Sequence, residues 1–343
     1  MMSDASPLIC ICIPTYNAER TIQEMLASVV NQSYSNMIIH VVDNASTDRT
    51  LAHVAMFDDP RISIYRNEIN IGAEGNFNRC IQLARGKYTA IYHADDVYEP
   101  HMVGRQVAFL EANPEAGAVF TEASLIDESG KVIGDIHLPR GMASVDHLYD
   151  FMDILKAVLK HSNFLICPST MVRTEVYQQE IKHWMGEMFE SSADLDVWFR
   201  ILQRHPIGIL IEPSMRYRIS ERQWSARVRL GIARADFFIV MDYYLARDDV
   251  RAMLTTADLR NYASLERTDR AMRASNLFLL DRREEASVLC LGALSRDALW
   301  AATQSRRGFL TLLLAGYLKI CLALGLTAIG KAILRKVKFT SHK

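Results

Sequence analysis

Asp95 and Asp96 stand side by side at the end of the apolar run Tyr88-Thr89-Ala90-Ile91-Tyr92. Adjacent carboxylates repel, and a cation stabilises them. Hard divalent ions take oxygen ligands, usually one or two carboxylates together with substrate phosphates. A buried strand that carries paired acids to a sheet edge therefore suggests a metal–diphosphate site. Alone, such a pair fits a solvated loop or a helix N-cap better. The rest of the N-terminal half decides between the two.

Asp43 closes a second apolar run, Met37 to Val42. A carboxylate there can accept an imide N–H of uracil or thymine, or a ribose hydroxyl. Tyr16 follows the first apolar run in the turn Pro14-Thr15-Tyr16-Asn17 and can stack on a base. Gly72 and Asn76 can open a loop close to phosphates. Asp194, in Ala193-Asp194-Leu195-Asp196-Val197-Trp198, sits at an expected helix start, where the dipole favours an acid. It could equally be a general base taking a proton from an attacking hydroxyl. Arg200 stands four residues after Asp196 and suits a helical ion pair better than a substrate contact. The first strand carries no Gly-x-Gly-x-x-Gly and the chain no Gly-x-x-x-x-Gly-Lys-[Ser/Thr], which disfavours dinucleotide and P-loop chemistry.

The elements that must position these residues alternate. Short apolar runs at 8–13, 37–42, 62–65 and 88–92 read as buried strands; helical spacing follows at 21–31, after 48, and at 76–85. This is the pattern of an open parallel sheet with covering helices. Ligands of such sheets lie beyond the carboxyl ends of the strands. Thr15 and Tyr16, Asp43, Asn70 and Gly72, and Asp95 and Asp96 all fall there. Further on, 117–140 reads as strands about the turn Asp127-Glu128-Ser129-Gly130. The pattern predicts a helix at 145–159, a strand at 168–173, a helix at 191–204, and helices throughout 226–304.

The chain has 343 residues and a net charge of −1, unevenly spread. Residues 298–343 hold eight Lys/Arg and no Asp or Glu; the remainder holds 31 Lys/Arg against 40 Asp/Glu, so the two parts carry +8 and −9. A basic tail points to an anionic partner. Six cysteines lie mostly in apolar runs without a Cys-x-x-Cys pair, as reduced core thiols do. The N-terminus shows no basic segment ahead of an apolar one, so no signal peptide is expected.

In order and spacing, several motifs resemble family 2 glycosyltransferases of the GT-A fold, of the bacterial polysaccharide-biosynthesis type. They are Pro14-Thr15-Tyr16-Asn17, the strand into Asp43-Asn44-Ala45-Ser46-Thr47-Asp48, Asn70-x-Gly72 with Asn76, Ala84-Arg85-Gly86-Lys87-Tyr88, His93-Ala94-Asp95-Asp96, and Ala193 to Trp198. The resemblance covers about residues 7–225. It implies an α/β fold: a GT-A, Rossmann-like, mostly parallel sheet with covering helices, then a helical region over 226–305. It further implies inverting transfer of a single sugar from a nucleotide diphosphate sugar, with UDP the first candidate, to a lipid-linked or saccharide acceptor.

By the same resemblance Pro14, Thr15, Tyr16, Asn17, Asp43, Gly72, Asn76 and Asp95 line the donor site. Tyr16 would stack on the base, Asp43 bind its edge, and Asp95 hold the ribose. Asp96 would ligate Mg2+ or Mn2+, and Asp194 would be the base. Three positions depart from the family's pattern. His93 stands where many members carry Asp, Ala193 where many carry Glu, and Tyr217-Arg218-Ile219-Ser220 where a Tyr-Arg-x-His often occurs. Arg222-Gln223-Trp224 does not supply the Gln-x-x-Arg-Trp of processive synthases. Transfer to polyprenyl phosphate, or a catalytically silent sugar-nucleotide-binding scaffold, are the alternatives.

Residues 308–330 are almost entirely apolar and long enough to span a bilayer. Yet Lys319 is central and both flanks are basic, whereas a span wants its positive charge chiefly on one side. Thr311, Ala315, Lys319, Ala323, Thr327 and Lys331 recur every four residues. Helices over 306–339 lying in the interface of an anionic membrane are preferred to a span or to ordinary packing. Nucleic acid is disfavoured, because no exposed aromatics interleave with the basic residues. The catalytic domain's sheet and helices are complete before 306, so deletion of 306–343 should leave that domain folded. The expected place is the cytoplasm, peripherally at the inner face of the cell membrane; the oligomeric state is not readable.

Overall fold

The computed structural model describes residues 6–220 and 231–340, and the Arg222-Gln223-Trp224 reading lies outside them. The chain divides into two compact units. The first consists of Met1–Leu155 and Asn163–Ser220, the second of Lys156–Ser162 and Glu221–Lys343.

Unit one is built on β1 (Ile9–Thr15), β2 (Met37–Asp43), β3 (Ile62–Arg66) and β4 (Tyr88–Ile91). They pair in parallel in the order β3-β2-β1-β4. The sequence Ile-Cys-Ile-Cys-Ile of β1 is wholly buried, as a strand covered on both faces must be. Helix α1 (Ile22–Val30) turns Ile22, Met25, Leu26 and Val29 inward at helical spacing. Helices α2 (Thr50–Val54) and α3 (Gly72–Leu83) are the next two crossovers. The sheet continues through β5 (Val97–Tyr98), β6 (Ala118–Ile126), β7 (Val132–Ile136), β8 (His147–Tyr149), β9 (Met171–Arg173) and β10 (Ile207–Arg218). Its full order is β3-β2-β1-β4-β9-β6-β10-β5, with β7 on β6 and β8 on β10. Strands β6 and β10 are parallel; β4–β9, β9–β6, β10–β5, β6–β7 and β10–β8 are antiparallel. Helix α4 (Met102–Ala112) lies between β5 and β6 in sequence.

Several boundaries differ from the sequence pattern. Strand β1 runs on through Pro14 and Thr15, which pair with Val42 and Asp43, so the turn begins at Tyr16. Proline is tolerated near a strand end because only its missing N–H is lost to the ladder. The helix expected over 145–159 is split into β8 and α5 (Phe151–His161). Residues 147–149 pair with Ile207–Ile209, and Asp146 Oδ1 accepts the Ile211 N–H at 3.0 Å. Tertiary pairing here overrides a weak local helical pattern. Residues 167–169 form one 3-10 turn before β9, and α6 (Gly186–Phe189) precedes α7 (Ala193–Leu202).

The described part of unit two is helical: α8 (Phe237–Leu245), α9 (Asp248–Ala252), α10 (Thr256–Leu279), α11 (Arg283–Ala293), α12 (Arg296–Gln304), α13 (Arg306–Ala323) and α14 (Thr327–Thr340). Helix α10 starts with a capping box in which Thr255 and Asp258 bond reciprocally. Ala271, Ala274, Phe278, Cys290, Ala315, Leu318 and Leu334 share one core. The segment over 306–339 is thus part of this core and not a separate appendage. Gly308 sits where a Cβ would come 2.3 Å from the Ala301 carbonyl oxygen, so only glycine allows α12 and α13 this approach. Among the described residues, no helix is long and apolar enough to cross a membrane.

Candidate active site

The carboxyl ends of β1, β2 and β4 supply the first half of the site. Asp43 ends β2 and is fully buried. Its Oδ2 accepts the Ser46 N–H at 3.1 Å and lies 3.5 Å from Arg66 Nε. Its Oδ1 is buried with no hydrogen-bond partner. A buried carboxylate oxygen left unpaired is costly, and a ligand N–H or O–H is what would satisfy it. Tyr16, 50 % exposed, follows β1 at the same edge. Thr15 is buried, its hydroxyl donating to the Ile13 carbonyl at 3.0 Å. Asn17, at φ 48°, donates its N–H to Ser46 Oγ and accepts the Thr47 N–H at Oδ1, fastening the turn after β1 to that after β2. These bonds set the spacing between Tyr16 and Asp43.

Asn76 is placed differently from Tyr16. It is buried, donating to the Val42 carbonyl at 2.8 Å and accepting from Asn67 at 3.1 Å. Asn67 also donates to Asn44, and Asn44 donates to Asn70 and the Gly72 carbonyl. Both ends of Asn76 are therefore spent on holding the end of β2. Gly72 is exposed and begins α3 at φ 78°, a conformation that suits glycine.

Beyond β4, His93, Asp95 and Asp96 bring one ligand atom each within 4.8 Å of one another. Asp96 is fully buried. Its Oδ1 accepts the Arg218 N–H at 2.8 Å, while Oδ2 has no hydrogen-bond partner and lies 4.0 Å from His93 Nδ1. Burial, and then the Asp95 charge, push the Asp96 carboxyl well above the usual range. Burial lowers His93, against the opposing pull of Asp95, so the imidazole is neutral and has a lone pair to give. His93 Nε2 is also buried without a partner. An orphaned carboxylate oxygen, a neutral imidazole and a second carboxylate within ligand distance form a donor set that fits a divalent ion.

Arg218, four per cent exposed, locks this corner. Its Nε donates to the Asp95 carbonyl at 2.7 Å, one terminal nitrogen to the Asp127 carbonyl at 3.1 Å, and the other to Glu24 at 2.6 Å. Strand β10 pairs with β8 at Ile207–Ile209 and with β5 at Met215 and Arg216, and between these its register on β6 shifts about Pro213.

Asp194 opens α7, and Oδ1 accepts the Leu195 N–H at 2.8 Å. Burial raises its carboxyl to about 6, although bonds from Leu195 and the Asn163 side chain pull the other way. The Cys167 thiol is pushed up by burial, with the charges of Asp194 and Asp96 adding to the effect. Asp196, two residues on, is spent on Arg200 at 2.8 Å, as its spacing predicts. Phe77 packs edge-on to His93, Trp184 lies on Phe77, and Trp198 on Trp184. Phe77, Trp184, Asn163 and Cys167 carry no site signal in the sequence, whereas Trp198 and Arg218 stand in the family-like motifs without a role that spacing could assign. A second group of possible ligands, Cys10, Cys12 and His40, is wholly buried. The Cys12 hydrogen bond and burial push the Cys10 thiol up, as expected of a neutral core thiol.

Residues 10–179 match the family described as glycosyl transferase family 2. The chain is 29 % identical over 221 residues to an uncharacterized glycosyltransferase of Methanocaldococcus jannaschii, covering 63 % of this chain and 72 % of that one. It is 35 % identical over 106 residues to the Escherichia coli UDP-Glc:alpha-D-GlcNAc-diphosphoundecaprenol beta-1,3-glucosyltransferase, covering 31 % of this chain and 42 % of the relative. Its fold is similar to that of S. aureus TarS in complex with UDP-GlcNAc, at a TM-score of 0.62 and 17 % identity, over 92 % of both chains.

Proposed function

This chain belongs to glycosyl transferase family 2 and is a glycosyltransferase of the GT-A fold, and from that premise we propose inverting transfer of one sugar from a nucleotide diphosphate sugar to an acceptor hydroxyl. The observation that carries the reading is the pair of buried, unpartnered carboxylate oxygens, Asp43 Oδ1 and Asp96 Oδ2, at two carboxyl ends of one sheet. Asp43 would accept a polar hydrogen of the base, and Tyr16 would stack on it. Asp95 would take the ribose hydroxyls. The turn from Pro14 to Asn17 and the Gly72 backbone would border the nucleotide. UDP is the preferred donor nucleotide.

His93, Asp95 and Asp96 would hold Mg2+ or Mn2+, which when bound neutralises charge on the leaving diphosphate. The other chemistry belongs to the chain. Asp194, ionised above about pH 6, takes the acceptor hydroxyl proton on the face of the sugar opposite the diphosphate. The Leu195 N–H and Asn163 orient its carboxylate. The wall of Phe77, Trp184 and Trp198 limits water near the reacting carbon.

The acceptor is a lipid-linked or saccharide hydroxyl, a reading supported by the diphosphoundecaprenol acceptor named for the E. coli relative. Work at the inner face of the cell membrane, in envelope polysaccharide assembly, belongs to the same reading. The test is a screen of UDP-sugars with Mn2+ and a lipid-diphosphate saccharide acceptor, read by product mass. A product heavier by one sugar residue supports it. Donor binding with neither hydrolysis nor transfer, over the whole screen, would favour the silent scaffold.

A further inference from the structure

Helix α13 is apolar on two opposite sides. Gly308, Thr311, Ala315, Leu318 and Cys321 face the core of unit two. At about 100° per residue they occupy an arc opposite Phe309, Leu313, Ile320 and Leu324. Those four side chains are each 50–67 % exposed. The inward stripe is made of small residues because α10 and α11 approach it closely. The outward stripe consists of large side chains with no structural duty in this core. Leu299 and Trp300 on α12, and Ile329 and Ile333 on α14, add further exposed apolar surface to the same unit. Large apolar side chains exposed in this number along one helix face mark an interaction site.

Charge identifies the occupant. Residues 298–343 carry eight Lys/Arg and no acid. A protein partner would have to be acidic and apolar at once; an anionic bilayer is both by construction. A groove of about 360 Å3 opens between α10 and α13, lined by Ala271, Met272, Leu310 and Leu314 together with Arg306 and Arg307. The polar groups within it are already satisfied, since the Thr268 and Thr311 hydroxyls bond each other at 2.9 Å. Arg307 donates to the Lys160 carbonyl at 3.0 Å and the His161 carbonyl at 3.5 Å, so Arg306 is the guanidinium offered at this apolar slot, which matches an acyl chain ending in a phosphate. No described helix is long and apolar enough to cross a bilayer, and a helix with one exposed apolar face suits the plane of its surface.

We infer that the Phe309–Leu313–Ile320–Leu324 face of α13 docks in the plane of an anionic phospholipid surface, with lipid phosphate taken by Arg306. The inference deepens the lipid-acceptor reading of the proposed function. Its test reads binding alone, so the two can fail separately.

The full-length protein is floated with phosphatidylcholine vesicles, with and without phosphatidylglycerol, at low and high salt. Binding should require phosphatidylglycerol and weaken with salt, because part of the attraction is Coulombic. Phe309→Gln with Leu313→Gln should weaken binding by about 10-fold or more, with unchanged far-UV circular dichroism and nucleotide affinity. Arg306→Glu should keep the fold and lose most of the dependence on phosphatidylglycerol. If the glutamine pair fails to fold, an environment-sensitive fluorophore on Leu313→Cys decides; it should shift to the blue with phosphatidylglycerol vesicles. Absence of flotation by the intact protein, equal flotation of the glutamine pair, or an unshifted fluorophore overturns the inference. So does a lipid-free dimer that the glutamine pair dissociates, which would assign the face to a second copy.

Discussion

His93 Nδ1 lies 4.0 Å from Asp96 Oδ2, and neither Asp96 Oδ2 nor His93 Nε2 has a hydrogen-bond partner. An imidazole and a carboxylate that face each other without bonding, one neutral and the other strained by burial, form a corner that a cation completes. Asp96→Asn keeps the Oδ1 acceptor for the Arg218 N–H and removes only the charge. It should leave the fold intact and reduce metal-dependent nucleotide affinity by about 10-fold or more. Calorimetry with a nucleoside diphosphate, with and without Mn2+, measures this; an unchanged metal dependence sinks the assignment.

The same corner predicts a metal preference. Imidazole nitrogen suits transition ions, whereas Mg2+ prefers oxygen. His93→Asp should therefore narrow the ratio of Mn2+ to Mg2+ affinity, by about an order of magnitude. Electron paramagnetic resonance of bound Mn2+ gives an independent reading. Nitrogen coupling should be present in the parent protein and lost in the variant.

Asp194 gives a pH profile whose direction follows from its environment. Burial raises its carboxyl to about 6, so the rate limited by the base should rise through that pH and level off above it. Asp194→Asn should retain donor affinity, remove this limb of the profile and lower turnover by about 10^2-fold or more. Stability moves the other way. The folded state binds this proton more tightly than the unfolded chain, so the Asp194 contribution to stability is present at low pH. It is lost as pH rises from about 4 through about 6. The asparagine variant should thus be more stable than the parent at pH 7, by about 1 kcal/mol after allowance for the group's partial exposure. Denaturant midpoints at pH 4 and pH 7 test the sign.

What was legible in the sequence follows from what each residue depends on. Strands β1, β2 and β4 are buried on both faces, so their continuous apolar runs announce them, and so do the acids at their ends. Strands β8 and β9 have three residues each and exist through their partners, which no local pattern encodes. Arg218 could not be recognised as the clamp on Asp95 and Asp96, because 122 residues separate it from Asp96 and only the sheet order joins them. Asn76 read as a phosphate-loop residue, whereas both of its amide atoms are used behind the rim. Its neighbours Asn44 and Asn67 come from different turns.

Tyr16 and Asp43 separate affinity from stability. Tyr16 is half-exposed, so Tyr16→Ala should leave the melting temperature unchanged while weakening nucleotide binding by about 1–3 kcal/mol, the scale of base stacking; Tyr16→Phe should bind nearly as the parent does. Asp43→Asn should weaken binding of uridine diphosphate most among nucleoside diphosphates if its Oδ1 reads a base imide. Equal loss for all bases would move Asp43 to the ribose or to support of the turn.

The tail tests how far patterning can mislead. Thr311 and Ala315 recur on the small/polar stripe of a segment expected to lie in a membrane interface, but both side chains are buried in unit two. Deletion of 306–343 removes Ala315, Leu318, Cys321 and Leu334 from a core shared with Ala271, Phe278 and Cys290. It should therefore unfold unit two, not merely release it from lipid. A milder change isolates the cause. In Gly308→Val the new Cβ would meet the Ala301 carbonyl at 2.3 Å, and backbone cannot step aside as a flexible side chain can. Overpacking of this kind costs about 1–3 kcal/mol. Hydrogen exchange should show faster opening of α12 and α13 in this variant, with protection of β1, β2 and β4 unchanged. Equal protection of α12 and α13 in parent and variant would mean that these two helices do not approach as closely as Gly308 permits.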